Sequence, residues 1–143
     1  MDERNKMNGP LKTGYLLLFR SDEWYNELSQ DKLQRLISLN NAWIERLAAQ
    51  GQAKAGQPLA RQGAVVSGKN GNHIFDGPFA ESKEVIGGYL MLDVETLEEA
   101  VAIARTSPSL AYGTSIEVRP LTDECPLNAC ERKLARETQF ATA

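Results

Sequence analysis

Tyr15-Leu16-Leu17-Leu18-Phe19 is an unbroken apolar run of five residues, ended by Arg20. A run this short falls below helix length and fits a strand buried on both faces. Strand side chains alternate between the two faces, so this one needs cover above and below. In a two-layer domain the helices cover one face only. A second copy of the chain is the simplest cover for the other. The run thus predicts a sheet with helices on one side and a homodimer partner on the other.

Working outward, residues 20–26 form a polar connection carrying Trp24 and Tyr25. A helix is expected from Ser29, with Ser29 as N-cap and Asp31 in the first turn, where a negative charge suits the dipole. Leu33, Leu36, Ile37, Ile44, Leu47 and Ala48 recur at three- and four-residue spacing and give that helix an apolar face, with Asn40 interrupting it and Trp43 beside it. Gly51 stops it. Residues 52–62, with Gly56 and Pro58, read as an irregular connection. Ala64-Val65-Val66-Ser67 and His73-Ile74-Phe75 then flank Gly68-Lys69-Asn70-Gly71-Asn72, a hairpin signal.

The hairpin leads into Asp76-Gly77-Pro78-Phe79-Ala80-Glu81-Ser82-Lys83-Glu84, three carboxylates, one ammonium and one hydroxyl around a Gly-Pro kink. Glycine permits close backbone approach and proline fixes φ, so the stretch reads as a rigid polar turn at a sheet edge. Residues 88–94 form another strand apolar on both faces. Thr96-Leu97-Glu98-Glu99 matches a capping box, and Leu97, Ala100, Val101 and Ala104 make one face of a short helix ending before Ser107-Pro108. In Ser115–Pro120 the faces differ: Ile116 and Val118 point toward the helices, Glu117 and Arg119 toward the open side. The order is β-α-β-β-turn-β-α-β, a split βαβ arrangement over a largely antiparallel sheet.

The totals fit one domain of 143 residues, 42% hydrophobic and 24% charged. A net charge of −3 and a pI near 5.2 argue against nucleic acid. No apolar run is long enough to cross a bilayer, and the polar N-terminus lacks a secretory core, so the expected location is the cytoplasm. Cys125 and Cys130 are the only cysteines and His73 the only histidine, too few ligands for a tetrahedral metal site. No phosphate-binding loop or dinucleotide fingerprint occurs, so no cofactor is expected.

The 76–84 run, the Gly87-Gly88-Tyr89 strand start and the closing Ile116-Glu117-Val118-Arg119-Pro120 strand resemble the YCII-related family in its DGPF-type branch. The likeness covers residues 13–121, leaving residues 1–12 as a flexible arm and 122–143 as a tail in which 128–139 fit a helix. The resemblance implies a ferredoxin-like α+β fold of the dimeric α/β-barrel type, and a function that is largely uncharacterised. It also implies Asp76 as the position suspected of activity, and a histidine near the first helix that this chain lacks.

Asp76 is the first candidate: a carboxylate at a kinked turn can act as general base, or can simply accept backbone amides. His73 lies three residues earlier, on the opposite face of an extended strand, so a His73–Asp76 dyad requires the turn to reverse them. Glu81, Ser82 and Lys83 are either a solvated turn or an ion-paired ligand site in which Lys83 holds an anionic group. Ser82 has no nucleophile elbow around it. Glu117 and Arg119 either pair across a dimer or leave Arg119 to bind a carboxylate or phosphate. Two classes of function follow. One is a cofactor-free proton-transfer enzyme of lyase, isomerase or hydrolase type acting on a small anionic metabolite. The other is a non-catalytic ligand-binding or regulatory module, since the relatives it resembles are similar to proteins often encoded beside alternative sigma factors. A purely structural dimer is the third reading.

Overall fold

The structure is a computed structural model that describes residues 14–22, 24–76 and 85–141. The expected arm, residues 1–12, lies outside these. In chain order the elements are β1 (Tyr15–Ser21), α1 (Gln30–Ala49), β2 (Ala53–Pro58), β3 (Ala64–Ser67), β4 (His73–Asp76), β5 (Val85–Leu92), α2 (Leu97–Ala104), β6 (Ser115–Pro120) and α3 (Pro126–Ala141). Four strands form an antiparallel sheet in the order β2-β5-β1-β6, and β3 pairs with β4 in a separate two-stranded sheet. β5 lies between β1 and β2, and β1 lies between β5 and β6. Each of α1 and α2 is therefore a crossover between two parallel strands with a third inserted between them, the interleaved split βαβ of ferredoxin-like folds.

Two expectations are corrected here. Residues 52–62 are not irregular throughout, because Ala53–Pro58 is β2, an edge strand paired with β5. Ala-Lys-Ala-Gly-Gln-Pro lacks the β-branched and aromatic residues that announce a strand. It is held by the ladder instead, which Leu59 extends by donating its N–H to the Gly87 carbonyl at 2.9 Å. The strands on either side of the 68–72 turn do form a hairpin, but it stands apart from the main sheet. Gly68, Asn70 and Gly71 all take the left-handed backbone its loop requires.

Helix α1 starts where its sequence says. Ser29 accepts a hydrogen bond from the Lys32 amide at 3.3 Å, and Gly51, at φ 73°, follows the helix end. The side it buries is narrower than its apolar face. Leu36, Trp43 and Leu47 are buried, while Ile37 and Ile44 remain 51% and 37% exposed. Trp43, expected beside the face, is at its centre. Its ring meets Phe19 edge-on at 6.2 Å, and its indole N–H donates to Thr106 Oγ1 at 2.7 Å. Thr106 Oγ1 in turn donates to the Ile103 carbonyl at 2.6 Å, so one side chain ties α1 to the end of α2.

The core closes on one side of the sheet. Leu17 of β1 and Leu90 and Leu92 of β5 pack with Trp43, Leu47, Ala100, Ile103 and Ala104 of the two helices. Thr96 caps α2 by accepting from the Glu99 amide at 3.1 Å. Helix α3 is hooked to the chain before it by Arg132 and Glu124, whose nitrogen and oxygen are 2.6 Å apart. Its described side chains are exposed, including Leu127, Leu134 and Cys130.

Candidate functional site

The half of the α1 face that the core leaves uncovered becomes the wall of a groove. Ile37, Asn40, Asn41, Ile44 and Ala48 face β2 and the start of β5 across a space of about 700 Å³. Register explains why space remains there. Gly56 pairs with Leu90 and Pro58 with Gly88, so the floor on the helix side carries two glycines and a proline where bulky residues would fill it. The glycines also allow the strands to meet: a Cβ on Gly88 would sit 3.1 Å from the Gln57 carbonyl oxygen, and one on Gly56 would sit 2.9 Å from the Tyr89 carbonyl oxygen. One end is closed by aromatics. Trp24 stacks on Tyr112 at 5.7 Å and 19° and meets Tyr25 edge-on at 5.8 Å. The buried Trp24 Nε1 has no acceptor among the described residues.

The lining is mainly aliphatic and aromatic, with Asn40 and Asn41 as neutral hydrogen-bonding groups and Lys54 and Arg61 as cations. Lys54 stands 3.8 Å from Asp93. No carboxylate lines the groove among the described residues. A pocket of this size with a few polar groups on apolar walls suits a small organic molecule.

A second feature lies on the opposite side of the sheet. Leu16 and Leu18 of β1 stand opposite Met91 and Tyr89 of β5 and opposite Arg119 and Glu117 of β6. These share the open face, as expected from the alternation in β6. All four apolar residues are half-buried, and no described helix packs over them. Glu117 is flanked by two guanidinium groups, with Arg20 and Arg119 each 3.7 Å from a different carboxylate oxygen. The cluster carries one net positive charge. Arg20 Nε is buried without an acceptor among the described residues.

The residues singled out in the sequence are not all brought together. Asp76 ends β4 opposite Ala64, is exposed, and does not line the groove. His73 pairs opposite Ser67 on the same strand and stacks on Phe75 at 6.4 Å, so no His73–Asp76 dyad forms in this hairpin. Glu81, Ser82 and Lys83 lie outside the described residues. Glu117 and Arg119 do meet, within one chain. Sequence reasoning missed Arg20, which read as the start of a polar connection, Asn40, which read only as an interruption of the apolar face, and Asn41, which was not singled out. An amide pair inside an otherwise apolar helix face was the signal available.

No described helix is long and apolar enough to cross a membrane. The family model for the YCII-related domain matches residues 17–124, from the middle of β1 to just before α3. The chain is also 30% identical to an uncharacterized protein of Rhizobium meliloti (strain 1021), over 75% of this chain and 90% of that relative. The match takes in most of β1, all of β2, β5 and β6 and both crossover helices, and the chain belongs to the YCII-related family.

Proposed function

We propose that the protein is a small-molecule-binding homodimer whose ligand occupies the groove between α1 and the β2–β5 edge. The observation that carries this is the groove itself, about 700 Å³ with an apolar floor kept open by Gly56, Gly88 and Pro58. Its ligand is a compact molecule with an apolar body, hydrogen-bonded by Asn40 and Asn41, and with any anionic end directed at Lys54 or Arg61. The second copy covers Leu16, Leu18, Tyr89 and Met91 on the open face. The resemblance of residues 76–84 to the DGPF-type branch supports the homodimer; it points to the turn itself, not to the groove, as the site.

The described walls carry Lys54 and Tyr25 as groups able to move a proton, and the resemblance adds Asp76 for the enzyme reading. Thermal unfolding against a panel of small metabolites, for the wild type, Ala48→Trp and Asp76→Asn, tests the assignment. A ligand that binds the folded state raises its Tm. Ala48 is an exposed groove residue, so a tryptophan there fills the space without entering the core. The expected result is a ligand shift in the wild type that vanishes in Ala48→Trp and survives in Asp76→Asn. A shift that Ala48→Trp retains places the ligand elsewhere, and one lost only in Asp76→Asn restores the turn as the site.

A further inference from the structure

The aromatic end of the groove holds two polar groups that the described chain does not use. Trp24 lines that end, and its Nε1 is a buried donor with no acceptor among the described residues. A donor removed from water without a partner is costly, and folded proteins hold few of them. The ring is fixed between neighbours, with Tyr112 stacked on it at 5.7 Å and Tyr25 edge-on at 5.8 Å. Its nitrogen-bearing edge lies at the Gly113–Thr114 corner. A Cβ on Gly113 would sit 3.7 Å from Trp24 Cδ1, the carbon bonded to Nε1.

Thr114 supplies the second group. It lines the groove, is 9% exposed, and donates its backbone N–H to the Ser109 carbonyl at 3.4 Å. Its hydroxyl bonds to no other described residue. The nearby Ser109 hydroxyl is already paired with Ser107 at 3.0 Å. An indole N–H can only donate, and a hydroxyl can rotate to do the same. Two neutral donors at one corner match one oxygen with two lone pairs. A carboxylate held there by neutral donors among aromatic rings would lose its hydration without a countercharge, which is unfavourable. Beyond the corner, the α1 wall from Ile37 to Ala48 rises roughly 16 Å, room for a long apolar body.

We propose that the groove's ligand carries an uncharged carbonyl oxygen, of a ketone, ester or amide, that accepts from Trp24 Nε1 and the Thr114 hydroxyl, with its hydrocarbon body along α1 toward Ala48. The proposal rests on the groove as the binding site and adds which group of the ligand is read and at which end. Specificity follows from the same geometry. A hydrocarbon of equal shape leaves both donors unpaired, and a site arranged around a hydrogen bond rejects the analogue that lacks it.

Three probes with one phenylalkyl body test this: benzylacetone with a ketone, phenylbutyrate with a carboxylate, and butylbenzene with no oxygen. Each is titrated into the nitrogen-15-labelled full chain while the two indole N–H signals are followed by NMR. Trp24→Phe identifies the Trp24 signal by its loss, and Trp43, bonded to Thr106, is the internal control. The expected result is that benzylacetone moves the Trp24 signal downfield and binds more tightly than the other two. Thr114→Val is expected to weaken benzylacetone about three- to ten-fold, the worth of one hydrogen bond, and to leave butylbenzene unchanged. Ala48→Trp is expected to abolish binding of benzylacetone. Benzylacetone lost in Ala48→Trp but leaving the Trp24 signal still, or indifferent to Thr114→Val, overturns the carbonyl contact and leaves the groove standing. So does butylbenzene or phenylbutyrate binding as tightly as the ketone. Binding by none of the three, or binding that Ala48→Trp retains, overturns the groove reading and this one with it. The wild-type signals decide the contact even where a variant fails to fold.

Discussion

Adjacent glycines in β5 do different work, and the difference is measurable. Gly88 faces the helix side, where an added Cβ meets the Gln57 carbonyl oxygen at 3.1 Å and the Pro58 Cα at 3.4 Å. Both are backbone atoms, so β2 itself would have to move. Gly88→Ala is expected to destabilise by about 1–3 kcal/mol, the range for overpacking a tight site. Gly87 has no described atom within 4 Å of its Cβ position and no left-handed backbone. Gly87→Ala is expected to be neutral or to stabilise by up to about 1 kcal/mol, through the unfolded chain. Urea unfolding of the two variants checks the pair; equal losses would show that the approach of β2 to β5 is not what Gly88 is for. Trp43 is the other residue on which much rests, at 2% exposure. Trp43→Phe removes the indole donor to Thr106 and leaves a void, for a loss of about 2–3 kcal/mol. That corresponds to a fall in Tm of about 4–12 °C for a domain near this size.

At the scale of elements, α2 depends on its start. Its eight residues, Leu97–Ala104, are too few to hold a helix by propensity, so it stands on the cap and on Ala100, Ile103 and Ala104 against the sheet. Thr96→Ala is expected to lose about 1 kcal/mol, with Thr96→Ser close to wild type, since a serine hydroxyl reaches the same amide. Thermal melts of both resolve the cap from any loss of β-branched packing. The Thr96 cap of α2, the Ser29 start of α1, the hairpin turn and the alternation in β6 were all legible in the sequence, because each is set by residues a few positions apart. β2 was not. Its residues carry no strand signal, and it exists because β5 offers it a ladder and Gly56 and Gly88 let it approach. The burial of Trp43 in place of Ile37 and Ile44 was equally hidden, since an apolar face only says which residues can be buried. The 108–112 turn, the sheet and the groove decide which of them are.

The described residues present two faces of unlike chemistry, an apolar groove between α1 and the β2–β5 edge and a charged cluster on the open sheet. Exposed ion pairs contribute about 0–1 kcal/mol each, so Glu117→Gln is expected to leave the stability of the single chain almost unchanged. Its effect belongs to the assembly. Without the carboxylate, each copy brings two unmatched guanidinium groups to the proposed interface, and the dimer is expected to weaken at low salt and recover as salt screens them. Sedimentation at two ionic strengths reads this; an unchanged dissociation constant at both would remove the open face from the interface.

The sequence by itself determined the family, the two-layer α+β class, both crossover helices with their caps, the hairpin and the outward pair Glu117 and Arg119. These follow from local periodicity and from motifs whose residues act on near neighbours. Only the tertiary structure decided that β2 joins the sheet and that the hairpin leaves it. It also brought Arg20 to Glu117 through a pairing of strands nearly a hundred residues apart in the chain, and set Asn40 and Asn41 in the wall of a groove floored by Gly56, Gly88 and Pro58. Those are long-range pairings, fixed by which strand lies beside which, and a side chain's neighbours across a sheet are written in the register rather than in the order of the chain.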